Sequence, residues 1–167
     1  MGITADVLRQ WMTGHSSLVA PLAFIGETGA SGRRRYSLGG AVLVKIAAHL
    51  SGSDGRGHGF MRPNEAILIA NALAPFVREL EEGYSEHGAN ALVRMGGAGP
   101  VAVVMATNWP DRFRVSAFPS RVAYVAAAER GGFAMTALHL DMQTLFSAAA
   151  VDISNAAAAA IHGDPAE

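Results

Sequence analysis

Residues 29–50 read GASGRRRYSLGGAVLVKIAAHL, a glycine-rich basic segment followed directly by an apolar run. The apolar run has its large residues at helical spacing: Val42, Leu43, Ile46 and Leu50. This spacing predicts a helix over residues 38–50. Ser37 stands just before it, where a serine hydroxyl accepts a hydrogen bond from the first turn of a helix. The stretch therefore predicts a capped helix that is entered through an arginine-rich segment.

Residues 4–12 predict a first helix upstream of this stretch. Thr4 is a suitable N-cap, and Asp6 lies in the first turn, where a helix N-terminus favours negative charge. Three apolar residues share one face of this helix: Val7, Leu8 and Trp11. Arg9 and Gln10 point elsewhere, so the helix has a polar face and a face suited to a core.

Three more segments complete the first half of the chain. Residues 18–25 are apolar and contain Pro21, which suits a short edge strand or an extended arm. Residues 26–32 are rich in glycine and predict a loop. A helix is predicted from about residue 63 to residue 82, and Pro75 within it should kink or interrupt it.

The second half alternates short apolar runs with turn residues, which predicts strands. The predicted strands are residues 91–95, 101–107, 113–118 and 133–141. Residues 121–130 are ambiguous between strand and helix, and an alanine-rich helix is predicted over residues 142–161 with Asp141 as its cap. We therefore predict an α+β fold, with a helical region over residues 1–82 and a small sheet with a C-terminal helix over residues 83–167.

The composition bounds the class of protein. The chain has 167 residues, of which 50% are hydrophobic and 16% charged, so it can bury a core. It has no cysteine, which excludes disulfides, zinc–cysteine sites and thiol catalysis and fits a reducing cytosol. No apolar run reaches the ~20 residues that span a bilayer, and the first residues lack the pattern of a signal peptide. The expected location is cytoplasmic, with no membrane partner.

The formal net charge of -1 conceals an asymmetry. Residues 1–62 contain seven basic and three acidic residues, whereas the remainder contains six basic and eleven acidic ones. A basic first part is typical of a surface that meets a polyanion.

The glycines before the arginines raise the possibility of a nucleotide-binding loop, which the spacing opposes. A P-loop has four residues between its glycines and then Lys-Ser/Thr. Here five residues separate Gly26 from Gly32, and arginine follows. Two interpretations of Arg33, Arg34 and Arg35 remain: contacts with a DNA backbone, or a solvated basic loop.

No constellation of residues predicts an enzyme. The six histidines have no metal-ligand spacing, and the serines of the last helix lack the G-x-S-x-G context of a nucleophile. Asp141 and Asp152 have no partner base or nucleophile nearby in sequence. We expect no catalytic residues, no metal and no cofactor.

Taken in order, residues 3–50 resemble the MerR family of winged helix-turn-helix DNA-binding domains. The family pattern Thr-x-x-x-Leu-Arg-x-Trp/Tyr is matched by Thr4, Leu8, Arg9 and Trp11. The family then has a short apolar passage with a proline, where Pro21 stands. Its wing ends in a glycine-and-arginine segment leading through Tyr-Ser into a helix, matched by residues 32–37. The following helix carries the spaced apolar set named above.

The resemblance implies a DNA-binding transcription regulator, with a recognition helix near residues 4–12 and a basic wing near residues 26–36. Asp6, Arg9 and Gln10 would face base edges or phosphates, and the arginines of the wing would contact phosphates or enter a minor groove. Arg35 has a competing role, bracing the wing from inside. The full set of implied DNA-binding residues is Thr4, Asp6, Arg9, Gln10, Arg33, Arg34, Arg35 and Tyr36. Tyr36 is expected to pack rather than to stack on bases.

Two departures from the family keep alternatives open. A helix normally precedes the recognition helix, but only three residues precede Thr4, so that helix is absent, or comes from another segment or subunit, or belongs to a longer chain. The wing is also longer than usual. Similar domains occur in small DNA-packaging (terminase) subunits of phage, which is one alternative function. The other is a protein-interaction or ligand-binding domain that does not bind DNA.

Residues 83–167 are expected to serve dimerisation or sensing. A homodimer on double-stranded DNA is the expected assembly, because two half-sites multiply the affinity of one short helix. A small-molecule effector is compatible with this half of the chain, but its identity cannot be read from the sequence.

Overall fold

The helices and strands follow one another in a mixed order along the chain. The computed structural model describes residues 4–13, 21–30, 34–53, 61–87, 99–106, 113–131 and 137–162. Within these residues there are five helices and two small antiparallel sheets, which confirms the predicted α+β class. The elements are α1 (Ala5–Thr13), β1 (Gly26–Thr28), β2 (Arg34–Tyr36), α2 (Leu38–Ser51), α3 (Pro63–His87), β3 (Val101–Ala106), β4 (Phe113–Phe118), α4 (Arg121–Gly131), β5 (Ala137–Asp141) and α5 (Met142–His162).

Helix α2 lies at the centre of the core. It packs against both α3 and α5, and ten of its fourteen residues are buried. Because its sequence is apolar on almost every side, it can only be stable when neighbours cover it on every side. A charged exception is Lys45, whose Nζ lies 2.6 Å from Oδ2 of Asp152 on α5. This ion pair, with both side chains mostly covered, ties the central helix to the last one.

The larger sheet has the strand order β4–β3–β5, with every pair antiparallel. Alternate residues of β3 face opposite sides, as strand geometry requires. Ala102 and Val104 join the main core, whereas Val101 and Val103 form a second apolar cluster. Phe118 and Tyr124 pack against that second cluster, so α4 covers the far side of the sheet.

Buried residues from both halves of the sequence share one core. The main cluster runs from Trp11 on α1 through α2 and α3 to Phe146 and Ala149 on α5. The sheet and α5 therefore pack directly on the helices of the first half.

Several predicted boundaries differ from the observed ones. Residues 26–32 do not form a loop throughout, because Gly26–Thr28 pairs with Arg34–Tyr36 as a strand. Pro75 does not interrupt α3: it lies at an exposed position, and the helix continues to His87. The ambiguous segment after β4 is a helix, capped by the Ser120 hydroxyl, which accepts a hydrogen bond from the Ala123 amide. The strand predicted over residues 91–95 lies outside the described residues.

The predicted N-caps of two helices are confirmed. Helix α2 begins after Ser37, whose hydroxyl accepts a hydrogen bond from the Gly40 amide. Helix α5 begins after Asp141, whose carboxylate accepts hydrogen bonds from the Thr144 amide and hydroxyl.

In the part of the chain that is described, none of the helices combines the length and the apolar character that crossing a membrane requires.

Candidate nucleic-acid interface

Helix α1 presents a polar face to solvent. Thr4 caps it: the Thr4 Oγ1 accepts a hydrogen bond from the Val7 amide at 3.4 Å. Asp6, Arg9 and Gln10 are all exposed. The Arg9 Nη1 lies 3.0 Å from the Asp6 Oδ1, one turn away, and both side chains are more than 70% exposed. An exposed pair of this kind contributes only about 0.2–1 kcal/mol, so Arg9 can exchange Asp6 for another anion at little cost.

The opposite face of α1 belongs to the core. Trp11 is buried, and Val7 and Leu8 are half-buried against the main cluster, as their spacing predicts. The Trp11 carbonyl also accepts a hydrogen bond from the Leu22 amide at 2.9 Å. The helix is therefore held to the body by its apolar side, which leaves the polar side free for a ligand.

An extended arm, residues 21–25, connects this region to the hairpin that follows. The Asn71 side chain on α3 holds the arm in the way a neighbouring strand would. Its Oδ1 accepts a hydrogen bond from the Ala23 amide at 2.6 Å, and its Nδ2 donates to the Pro21 carbonyl at 2.9 Å. One half-buried amide thus satisfies two backbone groups that have no partner in a sheet.

Strands β1 and β2 form a short antiparallel hairpin. Gly26 lies opposite Tyr36, and Glu27 lies opposite Arg35. Gly26 has φ +150°, and a Cβ there would stand 2.0 Å from the Arg35 carbonyl oxygen, so only glycine allows the strands to approach this closely. Arg35 is exposed, and its guanidinium forms no ion pair with any described residue. This arginine is therefore available to an anion.

Tyr36 ends the hairpin as a packing residue. Its ring meets Phe24 edge-on, with the centroids 5.4 Å apart, and it is half-buried against the main cluster. The ring contact shows that Tyr36 packs, as the sequence predicts.

The junction between the hairpin and α2 is fixed from α3. The Glu81 carboxylate accepts hydrogen bonds from the Gly39 amide at 2.9 Å and from the Ser37 hydroxyl at 3.0 Å. The Ser37 amide in turn donates to the Ile25 carbonyl at 3.2 Å. Because Glu81 already occupies the start of α2, this helix N-terminus does not offer its amides to a phosphate.

Six of the eight sequence-predicted residues can be placed with their side chains. Thr4, Asp6, Arg9 and Gln10 lie together on the exposed side of α1, and Arg35 lies on the hairpin. Arg34 is in β2, but its side chain, like the whole of Arg33, lies outside the described residues. The positioning residues Asn71 and Glu81 were missed, because nothing in their local sequence distinguishes them from other polar residues of a helix.

A second polar feature lies on the larger sheet, where β3 begins and β5 ends. A cleft of about 230 Å³ is lined by Gly99, Val101, Arg121, His139, Asp141 and Gln143. His139 Nε2 is 3.0 Å from the Tyr124 hydroxyl, and the Asp141 carboxylate is engaged at the start of α5. Among the described residues that line the cleft there is no serine, threonine or cysteine that could act as a nucleophile beside the imidazole.

Within the described ranges, no three side chains of the types His, Asp and Glu gather as a metal site. Comparison of the chain with protein-family models, with curated proteins and with solved structures found no match.

Proposed function

We propose that this protein binds double-stranded DNA as a winged-helix transcription regulator. One observation carries the proposal: α1, the arm, the β1–β2 hairpin and α2 follow one another in the order of a recognition helix, a wing and a supporting helix. The apolar sides of these elements pack on one core, while Arg9, Gln10 and Arg35 remain exposed.

The side chains divide into two kinds of contact. Arg9 and Gln10 on α1 have the donors that read guanine and adenine edges in a major groove. Arg35 on the hairpin would bind a phosphate, which positions the protein without reading sequence. The Thr4 hydroxyl oxygen accepts a hydrogen bond from the Val7 amide, but its own O–H remains a donor. This O–H would donate to a phosphate beside the start of α1.

The proposed assembly is a homodimer acting in the cytoplasm, with each copy occupying one half-site. A small DNA-packaging subunit of the phage type would use the same helix and wing. The two functions separate by specificity, because a regulator binds its own site about 10³–10⁷ times more tightly than random DNA. A selection from random duplexes that yields one enriched palindrome supports the regulator over the packaging subunit.

The proposal is tested by the salt dependence of binding to mixed-sequence duplex DNA. Each phosphate contact contributes about -0.9 to the slope of log Kobs against log salt. We expect Arg35→Ala to make the slope shallower by about 0.9 and to leave the fold intact, because the residue is exposed. Fluorescence anisotropy from 50 to 300 mM salt measures both quantities.

Arg130→Ala is the matched control, since Arg130 is exposed at the end of α4 and donates to the Ala126 carbonyl. Equal salt slopes for wild type and Arg35→Ala would show that Arg35 on the hairpin does not contact the DNA. Absence of any binding at 50 mM salt would refute the proposal as a whole.

Asp6→Asn is expected to strengthen binding to non-specific DNA by about 3- to 10-fold at 0.1 M salt. The substitution removes a negative charge from the proposed interface and releases Arg9 from its ion pair, which adds up to one phosphate contact. Glu79→Gln, an equal change of charge at an exposed position on α3, is the control. Weaker binding by Asp6→Asn would show instead that Asp6 accepts a hydrogen bond from the DNA.

A ligand-binding domain is the second candidate, and the cleft beside Arg121 and Asp141 is the observation that favours it. Its charged groups, imidazole and amide suit a small polar metabolite. Ligand-observed NMR with the twenty amino acids and common dicarboxylates at 1 mM tests it. Two results together would favour this function over the first: the protein binds no DNA, and it binds a ligand that the Arg121→Gln variant no longer binds.

A further inference from the structure

Helix α4 is apolar on two opposite sides, which is unusual for a helix at a surface. On its inner side, the Tyr124 ring packs against Phe118 and His139 over the sheet. On its outer side, Val122 is 67% exposed and Val125 is 45% exposed. Exposed apolar side chains on the side opposite to a packed one form a second surface that a partner can cover.

The outer face forms one continuous stripe. A shallow apolar groove of about 410 Å³ is lined by Arg121, Val122, Val125, Ala126 and Glu129. At 100° per residue these five positions fall within one arc of the helix, with Val125 midway between the two charged residues.

The two charges are placed against the helix dipole. Arg121 lies in the first turn, where the positive end of the dipole repels it, and Glu129 lies in the last, where the negative end repels it. Arg130 adds one favourable cation to the last turn and donates to the Ala126 carbonyl. The dipole of their own helix therefore stabilises neither charge, and Arg121 also borders the cleft that contains Asp141.

We propose that this face pairs with the same face of a second copy of the chain, with the two α4 helices antiparallel. A two-fold axis through Val125 brings each Arg121 opposite the partner's Glu129, four residues from the axis on either side. Each charge then also lies beside the favourable end of the other helix dipole. A parallel arrangement would oppose like charges at both ends, so the charge pattern selects the antiparallel one.

The expected dimer is weak. Helix α4 has 11 residues, about 16 Å of length, and a face of that size is smaller than a standard interface of roughly 800 Å² per partner. We expect a dimer that dissociates at low protein concentration, and a dissociation constant that rises with salt as the charge pairs are screened. The pairing is independent of DNA binding and is measured without DNA.

Sedimentation equilibrium of the full chain from 5 µM to 1 mM tests the proposal. Arg121→Glu alone and Glu129→Arg alone each turn two attractions into two repulsions, and each should weaken the dimer about 10- to 30-fold. The double variant Arg121→Glu/Glu129→Arg restores the pairing and should return the dissociation constant to within about threefold of wild type.

Val125→Asp places two carboxylates at the axis and should abolish the dimer. Leu68→Asp is the matched control, because Leu68 is an equally exposed apolar residue on α3, at 53%. A chain that stays monomeric to 1 mM overturns the proposal. A dimer that survives Val125→Asp also overturns it, as does a dimer that is lost instead through Ile153→Asp on the exposed side of α5. A double variant that dimerises no more tightly than the single variants has the same consequence.

Discussion

Gly40→Ala is expected to lower the free energy of unfolding by about 3 kcal/mol, with a fall in Tm of roughly 6–12 °C for a chain of this size. A Cβ at this position would stand 2.3 Å from the Ile25 carbonyl oxygen and 3.1 Å from the Tyr36 ring. The first neighbour is backbone, held by the Ser37 amide, so it cannot move without displacing the arm and the hairpin. Thermal and urea denaturation followed by circular dichroism measure the loss.

Gly83→Ala is the matched control for this substitution. It makes the same change inside α3, and nothing lies within 4 Å of the added Cβ. Because alanine is the better helix former, this variant should be more stable by about 0.5–1 kcal/mol. If Gly40→Ala is as stable as Gly83→Ala, then α2 does not approach the arm as closely as described.

The elements around Gly40 show how far sequence pattern alone leads. The helical spacing of the apolar residues after Ser37 predicted α2 to within one residue of its observed end, because burial and capping act over neighbouring positions. The same reasoning placed Trp11 in the core and Asp141 at the start of α5. These features depend on short-range periodicity, which a single sequence carries.

The hairpin and the groups that hold it could not be found in this way. Strands β1 and β2 have three residues each, and β1 is wholly exposed, so no alternation of apolar and polar residues marks it. Asn71 bonds to backbone groups 48 and 50 residues away in sequence, and Glu81 reaches residues 42 and 44 positions away. Such partners are chosen by tertiary packing, which local sequence does not encode.

Helix α4 illustrates a different limit. Its apolar residues are spread around the helix rather than gathered on one side, so its sequence has no helical period that would separate it from a strand. This absence of a period left residues 121–130 open between strand and helix. The same spread places Val122 and Val125 on the outer side of the helix, where the proposed α4 pairing uses them.

The triple substitution Arg33→Ala/Arg34→Ala/Arg35→Ala is expected to weaken binding to duplex DNA by about 500-fold at 0.1 M salt. Three phosphate contacts at about 0.9 each would make the log–log salt slope shallower by about 2.7, and the loss in affinity follows from that difference. The three arginines are consecutive and end at the exposed Arg35, which lies in the hairpin and forms no ion pair with a described residue. Anisotropy titrations at several salt concentrations measure the slope and the affinity together.

The control must distinguish the effect of where positive charge is removed from the effect of how much is removed. The variant Arg78→Ala/Arg114→Ala/Arg130→Ala removes three exposed arginines from α3, β4 and α4, so its net charge changes by the same amount as that of the hairpin triple. If the whole surface merely attracted DNA, both triples would lose affinity equally, and the hairpin would hold no special place. A loss confined to the hairpin triple, with the unfolding temperatures of both variants close to that of wild type, would locate the phosphate contacts at the wing. Because neither Asn71 nor Glu81 is altered, the arm and the junction that position the hairpin should remain in place, and the lost binding is then attributable to the arginines themselves.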